Sequence, residues 1–286
     1  MSFVDILLDR VKLEFSKPDI IWENDQLSSK DLEFLKVECM KDSEFDTSNK
    51  RAYMYDKMLQ NPAITICRTC KYGKIFTVCD NQHQIPWELW GRILRMFYEG
   101  NPFKIFFLAH PSLRTFPKGR ITPENINAEF SITPEHINGG YTYQCNTETI
   151  MIYRAEDATR VLIHEIQHAL CLDKDENIDV MEAETEAWAE LLYIAILSGG
   201  KKYIYNDMLD RQSEWIVKQN AKVKKHMKHE TDFPWRYTVG KEEVWHRWNI
   251  IRPFTSGLKV NSLRLTFPPN DLLKRRFNVS KNSTIL

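Results

Sequence analysis

The sequence predicts an α+β fold, and three stretches predict it. The first is "INGGYTYQCNTETIMIYR", residues 137–154. Its Asn138-Gly139-Gly140 turn signal and two β-prone runs, Tyr141–Cys145 and Thr149–Tyr153, read as a β-hairpin joined by polar residues. The second follows at once: "EDATRVLIHEIQHALCL" is a largely apolar helix with acidic residues expected in its first turn, as the helix dipole prefers. The third, "MEAETEAWAELLYIAIL", is a second strong helix ended by Ser198-Gly199-Gly200. Together they describe a small mixed sheet with a hairpin edge strand packed on one helix, beside a second helix rich in glutamate.

The flanking elements are helical extensions on both sides. "MSFVDILLDRVKLEF" reads as a short amphipathic helix, because Asp5 and Asp9 interrupt an apolar run too broken for a leader. "IPWELWGRILRMFYEG" reads as a helix, with Pro86 in its first turn and Gly100 near its C-cap. "PFKIFFLAH" reads as a buried strand, and residues 111–136 as a long proline-rich loop. A further helix is expected from about Tyr205 to Lys228. The expected organisation is an N-terminal α/β region (1–125), a core bearing the motif (126–200) and a helical C-terminal region (201–286), within one compact whole.

Composition narrows the function classes. Hydrophobic residues make up 43% and charged residues 27%, as in soluble globular proteins. Lys+Arg and Asp+Glu are 39 each, so no global charge pulls the chain toward nucleic acid or an anionic membrane. The apolar run Ala187–Leu197 is too short to span a bilayer and carries Glu190. Six cysteines in 286 residues are too sparse for a disulfide scaffold, so reduced thiols and an intracellular location are expected.

Inside the first helix stands His164-Glu165-Ile166-Gln167-His168, an H-E-x-x-H. Residues four apart share a helix face, so the two histidines can offer their nitrogens to one metal ion. Zinc takes neutral imidazoles and keeps a position for water in catalytic sites. Glu165 is then placed to accept that water's proton as general base. The pattern arises by accident in about one or two random chains per hundred of this composition, so its surroundings matter. The helix is otherwise apolar, and two histidines and a glutamate inside it need partners.

A third ligand is expected downstream, and "MEAETEAWAELL" offers Glu182, Glu184, Glu186 and Glu190. Glu182, Glu186 and Glu190 share one helical stripe. Here the sequence resembles the gluzincin, or thermolysin-like, zinc metallopeptidases, whose ligand glutamate lies about twenty residues past the second histidine. Glu186 lies eighteen past His168 (186 minus 168), and Glu190 lies four past Glu186. The resemblance implies a zincin-like fold, zinc ligands His164, His168 and Glu186, Glu165 as base and Glu190 supporting the first histidine. It also implies an edge strand beside the cleft to which a peptide can add. The family's usual Asn before the ligand and Asp four after it are Thr185 and Glu190 here, which leaves Glu182 as the alternative ligand. The likeness covers about residues 142–192. A wider likeness, carried by the hairpin, the I-Y-R strand and "DFPWRYTVGKE", is to uncharacterised proteins of large DNA viruses. It implies an intracellular viral protein, in host cytoplasm or virion.

Such peptidases use a donor to steady the oxyanion. His226, His229, Arg236, Tyr237 and His246 are the candidates, with Arg236 and Tyr237 favoured; His226 and His229, among lysines, read as surface residues. Cys67, Cys70, Cys79 and His83 have a spacing that fits a second, structural zinc. The leading expectation is a zinc-dependent peptidase acting on a peptide or protein substrate. The alternatives are a catalytically silent zincin-fold scaffold, such as a virion or host-interaction protein, and, more distantly, a nucleic-acid-binding protein built on the cysteine cluster.

Overall fold

The computed structural model describes residues 2–80, 84–118, 130–173, 177–229, 232–252 and 257–286. In chain order the elements begin α1 (Phe3–Ser16), β1 (Glu23–Asn24), α2 (Ser29–Met40), α3 (Lys50–Gln60), β2 (Thr65–Cys70) and β3 (Gly73–Val78). There follow α4 (Trp87–Phe97), β4 (Phe103–Leu108), α5 (Pro134–Ile137), β5 (Gly140–Tyr141), β6 (Ile150–Ile152) and α6 (Ala158–Ala169). The last are α7 (Ile178–Ser198), α8 (Lys202–Val223), α9 (Val239–Arg247) and α10 (Asp271–Arg276). The chain divides into two compact units built from interleaved segments. A sheet unit comprises Glu14–Ser112, Gly139–Leu172 and Pro269–Leu286, and a helical unit comprises Met1–Leu13, Leu113–Asn138 and Asp173–Pro268.

The sheet unit carries an open six-stranded mixed sheet in the order β1-β2-β3-β4-β6-β5. The central strands β3, β4 and β6 are parallel, and each outer pairing is antiparallel. Parallel strands buried on both faces need near-continuous apolar runs, and "KIFTV", "FKIFFL" and "IMI" supply them. Alternation sends Phe76, Val78, Phe106, Leu108, Met151 and Tyr153 to one face, where Leu35 and Cys39 of α2 and Met54, Tyr55 and Met58 of α3 close the core. On the other face Trp90 of α4 lies edge-on to Phe107, and its Nε1 donates to Thr159 Oγ1 of α6 at 2.8 Å. The expected hairpin is present but shorter, pairing Gly140 with Ile152 and Tyr141 with Met151.

In the helical unit, α7 packs closely on α9. A Cβ added at Gly240 would stand 2.8 Å from Ala183 Cβ, so only glycine permits that approach. Trp245 is fully buried and donates from Nε1 to Ala187 O at 3.2 Å. Gly199, at φ 60°, ends α7 as the Ser198-Gly199-Gly200 signal required. Among the described residues no helix is long and apolar enough to cross a membrane.

The α2 N-terminus ties local capping to the sheet. Ser28 and Asp31 form a capping box, and Asp31 Oδ1 also accepts from Lys104 Nζ of β4 at 2.7 Å. Burial alone would raise the Asp31 carboxyl, but Lys104 and Ser28 outweigh it and hold the group below its ordinary range. A depressed carboxyl stabilises the fold above its unfolded value and loses that contribution as pH falls through the folded one. Urea unfolding of wild type and Asp31→Asn should therefore differ at neutral pH, with wild type more stable. The gap should begin to narrow at about pH 4 and close as pH falls further, through the depressed folded value.

Candidate metal centre

Helix α6 carries the motif, and all twelve of its residues are buried. Strand β6 feeds it through Tyr153–Asp157. Asp157 adopts a left-handed conformation, φ 60°, and so stands outside the helix. The expected acidic first turn is thus absent. Instead, the N–H groups of Asp157 and Thr159 donate to the Thr284 and Ile285 carbonyls at 2.7 and 2.8 Å. The tail satisfies donors that a helix start leaves open.

His164 and His168 are 6% and 9% exposed. Their rings meet edge to face, and the two Nε2 atoms lie 2.9 Å apart. A tetrahedral ion bound at about 2.0–2.1 Å separates two ligand nitrogens by about 3.3–3.4 Å. The pair is therefore already convergent, and a few tenths of an ångström open it for zinc. Both rings can offer the same nitrogen because their Nε2 atoms, not their Nδ1 atoms, face each other.

Glu165 is also buried, and the edge strand runs beside it. A Cβ placed on Gly140 would lie 3.1 Å from Glu165 Oε1, 3.0 Å from Met151 O and 2.6 Å from Val161 Cγ1. Only a residue without a side chain brings β5 this close to the carboxylate. The strand is held by residues that sequence reasoning missed. Glu38, itself buried, accepts from Tyr141 Oη at 2.5 Å and Tyr143 Oη at 2.7 Å. Arg51 donates to Tyr141 Oη at 3.1 Å and to the Glu38 carbonyl at 2.8 Å, and its Nε is held by Asp46 at 3.1 Å. Burial, with the Glu38 carboxylate beside it, pushes the Tyr141 hydroxyl up, so it stays a donor. No local pattern signals contacts that join α2, α3 and the hairpin.

In the helical unit, the glutamates of α7 differ in their surroundings. Glu186 is 2% exposed, and Glu182 is partly buried. Glu184 pairs with Arg247 at the surface. Glu190, expected to support the first histidine, is fully buried and accepts from Thr266 Oγ1 at 2.7 Å, with Lys241 Nζ 3.5 Å away. Arg236 pairs with Asp179 in the first turn of α7 at 2.6 Å, and Tyr237 packs on Phe233. His246 is exposed near Glu242, and His229 is exposed. His226 is not a plain surface residue: it stacks on Phe116, and its Nδ1 lies 2.8 Å from Phe130 O.

The cysteines correct one expectation and bear on another. Cys67 and Cys70 are three positions apart on the extended strand β2, so their side chains point to opposite faces. His83 lies outside the described residues. Nor are all thiols reduced, because Cys145 and Cys171 form a disulfide. Comparison with known proteins adds no relative: no family model, curated protein or solved structure matches the chain.

The Gly140 contact has a measurable consequence. Gly140→Ala should destabilise the protein by about 1–3 kcal/mol through overpacking against Val161 and Glu165. Thermal unfolding reads the loss, and an unchanged midpoint would show that β5 does not lie against α6.

Proposed function

We propose that the protein is a zinc-dependent peptidase of gluzincin type. The observation that carries this reading is the buried, convergent Nε2 pair of His164 and His168, with Glu165 between them in sequence and an edge strand at its carboxylate. The residues fit the group: two imidazoles on one face of a rigid helix, in a setting where buried polar side chains must be partnered. The zinc would be held by His164, His168 and a glutamate of α7, Glu186 by the family spacing or Glu182 as the alternative, with Glu190 as the supporting carboxylate. When bound, zinc supplies a Lewis acid that polarises the scissile carbonyl and acidifies water.

The chain's own residues do the rest. A peptide adds alongside β5, the last strand of the sheet, whose outer edge takes no strand partner among the described residues. Gly140 keeps that lane clear of side chain next to Glu165. Glu165 accepts the proton of the attacking water and passes it to the leaving amine. Arg236 or Tyr237 steadies the developing oxyanion. The substrate is a peptide or protein, with neither nucleic acid nor membrane as partner. The wider viral likeness supports an intracellular setting.

Metal analysis of the purified chain tests the reading. Wild type and Glu165→Gln should each hold about one zinc per chain. Glu165→Gln should lose peptide turnover by about 10²–10⁴-fold. His164→Ala should lose the metal, and so should Glu186→Ala; loss in Glu182→Ala instead would move the third ligand. Wild-type protein that takes up no zinc after reloading would sink the proposal.

A further inference from the structure

The disulfide sits at the end of the motif helix. Cys145 lies in the loop between β5 and β6, and Cys171 lies three residues past His168. The backbone N–H groups of both cysteines donate to one acceptor, the His168 carbonyl, at 3.0 and 3.1 Å. The residue that bears the second imidazole is thus gripped from both sides of the crosslink.

Backbone conformation gives an independent sign that this arrangement is imposed. Six non-glycine residues among those described have positive φ, and four of them are Asn or Asp, the types that tolerate it. The other two are Cys145, at φ 60°, and Cys171, at φ 54°. Nothing in the cysteine side chain favours a left-handed backbone. The bond between them explains why both are held there. Both are also reachable, since Cys145 is exposed and Cys171 partly so. Exposed disulfides are the labile ones, and in intracellular proteins disulfides are usually transient and redox-sensing.

We propose that Cys145 and Cys171 form a redox clasp on the motif helix. Closed, it orders the His168 turn; opened, it frees that turn and weakens metal binding. The metal part rests on the peptidase reading above. Opening needs a dithiol reductant. One of its thiolates attacks a cysteine sulfur, the Cys145–Cys171 bond breaks, and the second thiolate resolves the mixed disulfide. The products are two cysteine thiols and the reductant's own disulfide, so two electrons and two protons pass to the protein.

The experiment compares the oxidised full chain with the same protein reduced by a phosphine, and with Cys145→Ser/Cys171→Ser as a permanently open form. Should the double variant fail to fold, the phosphine-reduced chain serves alone. Alkylation after denaturation should label four cysteines in the oxidised protein, in line with the four free thiols, and all six after reduction. Amide hydrogen exchange over residues 164–172 should be faster in the open form. Zinc affinity should fall by about tenfold or more, as for other supports of metal ligands. Six labels without reductant, or equal exchange and equal zinc affinity in both forms, would overturn the clasp. Zinc binding to neither form, with exchange still faster when open, would support the clasp and overturn the metal reading.

Discussion

The sheet unit depends on the complete burial of α6. A twelve-residue helix is marginal on its own and takes its stability from packing. This one packs on every side, so its polar residues have no recourse to water. Leaving a buried polar group without a partner costs about 1–3 kcal/mol, so His164, Glu165 and His168, three buried polar side chains on one short element, demand partners. The surroundings of the helix follow from that demand. The tail carbonyls of Thr284 and Ile285 take its first N–H groups, Thr159 accepts from Trp90, and the Cys145 loop closes on its last turn. Both ends and the flank are fixed by the backbone or by short side chains, so the imidazoles and the carboxylate remain the chemically distinctive part.

The same demand explains a two-residue edge strand that would otherwise fray. Strands that short are weak, and an edge strand has ladder bonds on one side only. Here β5 is anchored sideways. Tyr141 and Tyr143 reach the Glu38 carboxylate, and Arg51 ties Tyr141 to the turn at Asp46. Charge-assisted hydrogen bonds of this kind are stronger than neutral ones. They fix Gly140 against Val161 and Glu165. The network lies far from the motif in sequence yet sets the distance at which anything lying along β5 meets Glu165.

Legibility followed the range of the interactions. Periodic, local signals were readable: the apolar run of β4, the helix Ala187–Leu197, the Gly199 stop and the H-E-x-x-H face all appear where the pattern put them. The hairpin was readable in type but not in length. Its first strand ends at Tyr141 because Tyr143 turns toward Glu38 and the Cys145 N–H is drawn to the His168 carbonyl. The α6 start was misjudged because Glu156 and Asp157 look like first-turn residues, whereas the tail, more than 120 residues away, supplies the first acceptors. Glu38 and Tyr141 are 103 residues apart. No composition or spacing rule links such positions. The strand setting of Cys67 and Cys70 was not legible for a local reason: C-x-x-C converges in a turn but diverges in a strand.

The cysteines then divide by environment in a way their count conceals. Burial pushes the Cys39 thiol up to about 12 and the Cys67 thiol up to about 11, and it raises Cys70 as well. At neutral pH these groups hold almost no thiolate, which is the reactive form. They behave as small apolar side chains in the α2 core and on β2. Cys145 is exposed and Cys171 partly so, and these are the two joined to each other at the end of α6. The thiols of Cys39, Cys67 and Cys70 are therefore held protonated, whereas the disulfide sits beside His168. A protein whose cysteines served only packing would have no reason to spend two left-handed backbone positions there. The crosslink joins positions 26 residues apart. Its place, with both cysteine N–H groups on the carbonyl of the second histidine, serves that histidine.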